Sequence, residues 1–209
     1  MNFAETLAYW YLRLNGFFVL RDFVFHRVED VREYSADCDL LALRFPHVYE
    51  CIAESDCRWD PMFEEWGLRI QERVTALIVE VKSGRKPPTD QALTKAFSRD
   101  RLISAIHRLG IWRRDEVEAV ATGLEKKEMW ADSKGITVGK LLIANKMPTG
   151  NGSTPYLPLT LRQADVFIRE RMEAHITDKP KDRVFFPSDL MQYIIWQRDN
   201  RYGNTRDPE

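Results

Sequence analysis

Thr75-Ala76-Leu77-Ile78-Val79-Glu80-Val81-Lys82 is the stretch from which the rest of the chain can be read. Ala76 to Val79 are apolar without interruption, which marks an inner strand covered on both faces. Gly84 and Pro87-Pro88 then end it. Side chains alternate along a strand, so Ile78, Glu80 and Lys82 share one face. A carboxylate and an ammonium are thereby carried to positions suited to deep burial. A lone buried charge costs several kcal/mol unless it is paired or bound to a metal. The bland alternative is a cross-strand surface pair on an edge strand.

Upstream, Asp37 to Arg44 is predicted as a strand in which Asp39 precedes Leu40-Leu41-Ala42-Leu43 and shares its face with Leu41 and Leu43. Phe17 to Arg27, rich in Phe and Val, is predicted to pair with it as an antiparallel hairpin across the polar turn at Glu29 to Ser35. Before the hairpin, Phe3, Ala4, Leu7, Ala8, Tyr11, Leu12 and Leu14 recur at helical spacing, and Asn15-Gly16 supplies the stop. Glu5 and Leu12 fall roughly 20° apart on the helical wheel, which points the Glu5 carboxylate along the apolar stripe. Its bland role is a first-turn acid complementing the helix dipole.

Downstream, Thr89 is an N-cap for a helix predicted to run to about Leu109 and stop at Gly110. A short helix over Asp115 to Leu124, a strand over Ile136 to Asn145 and a turn over Pro148 to Pro155 follow. Thr160 with Gln163 has capping-box spacing and opens a helix to about Ala174. A last helix begins after Ser188, and the tail beyond Asn200 is expected to fray. Residues 45–68, with Pro46, Pro61 and a run of acids and aromatics, read as an insertion packed on the sheet. The prediction is one α/β domain over 1–209, with a mixed sheet flanked by helices. It comprises a core at 1–145 carrying that insertion, a helical elaboration at 146–200 and a tail at 201–209.

Composition sets the outer limits. The 209 residues are 44% hydrophobic and 11% aromatic, with six Trp, enough for a real core. No run approaches the ~18 apolar residues that span a bilayer, so no membrane is expected as a partner. Neither a secretory start nor an even cysteine count is evident, which predicts a cytoplasmic protein. Cys38, Cys51 and Cys57 with His47 match no tight zinc spacing and are expected to be free thiols. The net charge is −1, yet Lys82 to Arg114 holds nine basic residues against Asp90 and Asp100. That local excess predicts a face built for phosphates, in which Gln91, Lys95 and Arg99 form an i, i+4, i+8 stripe.

Glu5, then Ser35-Ala36-Asp37-Cys38-Asp39-Leu40-Leu41-Ala42-Leu43, then Ile78-Val79-Glu80-Val81-Lys82-Ser83-Gly84 resembles the PD-(D/E)xK nuclease superfamily, in its Holliday-junction-resolvase and Mrr-like restriction branch. The resemblance covers residues 1 to 110 and the strand at 136 to 145. It implies a restriction-endonuclease-like αβββαβ core with extra C-terminal helices, and Mg²⁺-dependent hydrolysis of phosphodiester bonds, with Mn²⁺ as a substitute. Carried over, Asp39 and Glu80 bind metal, Lys82 orients the water and steadies developing charge, and Glu5 completes the site directly or through a water. The insertion offers Asp56, Asp60 or Glu64 as alternative ligands. Gln91 is followed by Lys95 and Phe97, unlike the exonuclease-type branch, so an endonuclease is expected. Arg85, Lys86, Gln91, Lys95, Arg99 and Arg101 are expected to grip duplex or branched DNA, with a homodimer or partner protein as a further possibility. The rival expectation is an inactive nuclease-like fold that binds nucleic acid or protein.

Overall fold

Asn2 starts the first element. Its side chain accepts from the backbone N–H groups of Ala4 and Glu5, while the Glu5 carboxylate returns to the Asn2 backbone, a reciprocal capping box. The helix α1 (Phe3–Leu14) ends at Asn15, and Gly16 carries the chain onward at a positive φ of 81°. The computed structural model describes residues 2–23, 38–49, 59–149, 154–173 and 188–202.

Strands β1 (Phe18–Phe23), β2 (Cys38–Arg44) and β3 (Val74–Lys82) follow, with a short helix α2 (Met62–Glu65) between β2 and β3. After β3 come α3 (Asp90–Ala96), α4 (Arg99–Leu109) and α5 (Val117–Glu125). The chain closes with β4 (Met129–Ala131), β5 (Ile136–Ala144), β6 (Leu157–Thr160), α6 (Leu161–Glu173) and α7 (Asp189–Tyr202). The sheet runs β1-β2-β3-β5-β4, and β6 also pairs with β5. β2 is antiparallel to β1 and β3, whereas β3, β5 and β6 are parallel, so the sheet is mixed. β4 and β6 meet β5 at different heights, β4 at Thr137–Gly139 and β6 at Leu141–Ala144.

Alternation gives the sheet two apolar faces. Leu40, Ala42, Leu77, Val79, Leu141 and Ile143 pack toward α1, α6 and α7, while Leu41, Ala76, Ile78, Val138 and Leu142 pack toward α4 and α5. Helices on both sides explain why β3 and β5 are nearly continuous apolar runs.

Two readings need correction. The helix expected from Thr89 to Leu109 is broken. Phe97 ends α3, and Ser98, with extended backbone, opens α4. The Phe97 ring is buried against Tyr156, with centroids 6.3 Å apart, which favours the break over a straight helix. Strands β4 and β6 were not expected. Met129–Ala131 is too short to show alternation, and Leu157–Thr160 runs into the capping signal at Thr160. Part of the insertion reaches the core: Phe63 is fully buried, stacked 6.0 Å from Tyr11 and in one cluster with Leu40 and Leu77 of the sheet. The hairpin turn at 29–35, residues 50–58 with Cys51, Asp56 and Cys57, and the tail beyond Tyr202 lie outside the described residues.

Candidate metal centre

The β2–β3 ladder pairs Arg44 with Thr75 at one end and Leu40 with Val79 at the other. One further step in that register sets Asp39 opposite Glu80. Here the strand-to-strand bonding gives way: Asp39 Oδ2 accepts from the Val81 backbone N–H at 2.6 Å. Asp39 is thus locked to β3 by the peptide that joins Glu80 to Val81. Glu80 is buried at 6% exposure, and its Oε1 forms an ion pair with Lys82 Nζ on the same face. The Lys82 side chain keeps 37% exposure, so its ammonium bridges the buried carboxylate and solvent.

Electrostatics bind these groups into one unit. Burial and the neighbouring Glu80 push the Asp39 carboxyl up to about 6, against the Val81 N–H and the Lys82 charge, which hold it down. Glu5 adds a smaller push in the same direction. Beside them the Cys38 thiol is driven up to about 12 by burial and by the Glu80 and Asp39 charges. It remains protonated, directed at the carbonyls of Leu40 (3.3 Å) and Val79 (3.7 Å). A carboxylate whose ionisation is opposed by a second carboxylate across the strand is a group that a cation would relieve.

Of the four side chains expected at the centre, Asp39, Glu80 and Lys82 are brought together. Glu5 reaches them only through its field, because its oxygens are engaged by the backbone N–H and side-chain amide of Asn2. Among the described residues, no three His, Cys, Asp or Glu side chains group closely enough to hold a metal. A cation at this point would therefore meet a pair of carboxylates, Asp39 and Glu80. Of the common cations, Mg²⁺ is the one that keeps several waters and is often held by only one or two carboxylates together with substrate phosphates. The alternative ligand Asp60 is spoken for: its carboxylate takes the Tyr11 hydroxyl at 2.8 Å and the Met62 N–H at 3.0 Å. Glu64 is exposed on α2.

The basic residues divide. Arg85, Lys86, Gln91 and Lys95 are exposed. Arg99 instead pairs with Glu118 and Glu125 of α5. Arg101 is 9% exposed, and its Nη1 donates to the Ala96 carbonyl across the α3–α4 break. With the helix broken, Gln91, Lys95 and Arg99 do not form one continuous stripe. Asn145 escaped the reading of the sequence. Its backbone N–H donates to the Lys82 carbonyl at 2.9 Å and its side-chain amide to the Gly84 carbonyl at 3.3 Å, tethering the turn that leaves the site. An Asn closing an apolar strand was the available signal.

No family model matches this chain, and no curated protein or solved structure is detectably similar to it. No helix among the described residues is long and apolar enough to cross a membrane.

Proposed function

We propose that this chain is a Mg²⁺-dependent nuclease with a restriction-endonuclease-like core, cutting DNA internally. The observation that carries the reading is the apposition of Asp39 and Glu80 across β2 and β3, with Lys82 paired to Glu80. Asp39 and Glu80 would hold the cation. When bound, Mg²⁺ supplies charge neutralisation at the scissile phosphate and acidifies water. The Val81 N–H fixes the Asp39 carboxylate through Oδ2, which leaves Oδ1 as the oxygen that would be offered to the cation. Lys82 has three N–H donors. One holds Glu80, and the others orient the attacking water and steady charge on the phosphate oxygens.

Cleavage of supercoiled plasmid and branched DNA in Mg²⁺ tests the proposal, with Lys82→Ala and Asp39→Ala beside the wild type. The wild type is expected to cut, and both variants to lose at least about a hundredfold in rate while keeping a native circular-dichroism spectrum. Equal rates in all three proteins would discard the mechanism. A second reading, an inactive nuclease-like binding module, is favoured by one observation, that Glu5 is engaged in a helix cap. Calorimetric titration with Mn²⁺ separates the two, since the nuclease reading requires saturable heat that Asp39→Ala removes.

A further inference from the structure

The register of the parallel strands places a second set of cations beside the proposed centre. Lys82 on β3 pairs with Ala144 on β5, which in turn pairs with Thr160 on β6. These residues form one row across the carboxyl edge of three parallel strands, two inter-strand gaps or about 10 Å wide. Each strand delivers exposed basic side chains just past that row: Arg85 and Lys86 after β3, Lys146 after β5 and Arg162 at the start of α6. Carboxyl ends of parallel strands are where open α/β sheets bind their ligands.

Arg162 stands in the first turn of a helix that has no acid there, where the helix dipole disfavours a cation. Local stability therefore gives no reason for it. Lys146 and Arg162 make no ion pair among the described residues, in contrast to Arg99 and Arg169, which are held by acids. With Arg99 and Arg101 committed to packing α4, the charge excess read from the sequence no longer maps onto that helix.

We infer that a nucleic-acid backbone crosses the carboxyl edge of β3, β5 and β6, with Lys146 and Arg162 contacting phosphates beyond the Asp39–Glu80–Lys82 centre. The inference rests on the nuclease reading and extends it by giving the substrate a path. A width of about 10 Å matches about three phosphates of one strand at their axial spacing. Contacts of this kind carry charge and no base readout, so the track is indifferent to sequence.

Fluorescence anisotropy of a labelled DNA duplex of about 20 base pairs, in EDTA and with salt varied from about 50 to 200 mM, tests the track without cleavage. Lys146→Ala and Arg162→Ala are each expected to lower the slope of log K against log salt by about 1 and to weaken binding several-fold. Lys146→Arg is expected to restore the slope. Lys134→Ala, in the turn before β5 at the opposite edge, is expected to change nothing. Wild-type slopes in both edge variants, or an equal loss in Lys134→Ala, would overturn the track and leave the nuclease reading standing on its cleavage assay. Absence of salt-dependent binding by the wild type would likewise overturn the track, and a wild type that also fails to cut in Mg²⁺ would overturn the nuclease reading with it.

Discussion

Asp39 shows how a single side chain can be costly to the fold and useful to a site. Its carboxyl is raised from 3.8 to about 6 by burial and by Glu80. Between those values the folded chain retains a proton that the unfolded chain has released. Its contribution is therefore most favourable below about pH 4, declines as pH rises to about 6, and stays unfavourable above, by at most about 3 kcal/mol. Asn at this position keeps an acceptor for the Val81 N–H and removes the charge. Urea unfolding in EDTA should find Asp39→Asn more stable than the wild type by about 1–3 kcal/mol near pH 8, with the difference vanishing near pH 4. A variant less stable than the wild type at the higher pH would show that Asp39 is not opposed by its surroundings. The inward carriage of Asp39 and Glu80 was legible in the sequence, because alternation within an apolar strand fixes which face a residue takes. The engagement of Glu5 was not. Wheel geometry gives direction along a helix, whereas the competing hydrogen bonds from Asn2 decide where a first-turn carboxylate settles.

Elements were legible where a local signal closed them. Asn15-Gly16, Thr89, Gly110 and the Thr160–Gln163 box each mark the boundary that the structure uses. They failed where a tertiary contact set the boundary, as at Phe97, whose burial against Tyr156 splits a run with unbroken helical composition. Gly123 in α5 makes the same point in energetic terms. From sequence, replacing a mid-helix Gly with Ala should stabilise by nearly 1 kcal/mol. Here, however, a Cβ would stand 2.2 Å from Trp130 Cδ1 on β4, and Trp130 is itself packed edge-on to Trp112 at 6.1 Å. The indole cannot withdraw without opening the α5–β4 contact. Gly123→Ala is therefore expected to destabilise by about 1–3 kcal/mol in denaturant unfolding, the cost of overpacking. A gain in stability would mean that β4 yields freely.

At the scale of the molecule, the two apolar faces of the sheet explain why the proposed centre need not support the fold. Buried side chains from α1, α6 and α7 cover one face and those from α4 and α5 the other, so both cores close independently of Asp39 and Glu80. The antiparallel pairing of β1 with β2 follows from the hairpin pattern, whereas β3 and β5 join the sheet across long stretches of chain. The docking of β4 and β6 on one side of β5 depends on long-range pairing that no local pattern encodes. A self-sufficient fold with a strained carboxylate pair makes a definite forecast for metal removal. Chelation should leave a single cooperative thermal transition, unlike a structural metal site whose loss unfolds the chain. Added Mn²⁺ at about ten times its Kd should contribute about 1.4 kcal/mol, raising the midpoint by roughly 3–5 °C. Asp39→Asn and Glu80→Gln should each abolish that rise, and Asp39→Asn should start from a higher metal-free midpoint. The wild-type shift measures ligation, and the offset between metal-free midpoints measures the repulsion that ligation removes. A Mn²⁺-dependent rise that survives in both variants would place the cation elsewhere on the molecule and separate the carboxylate pair from any catalytic role.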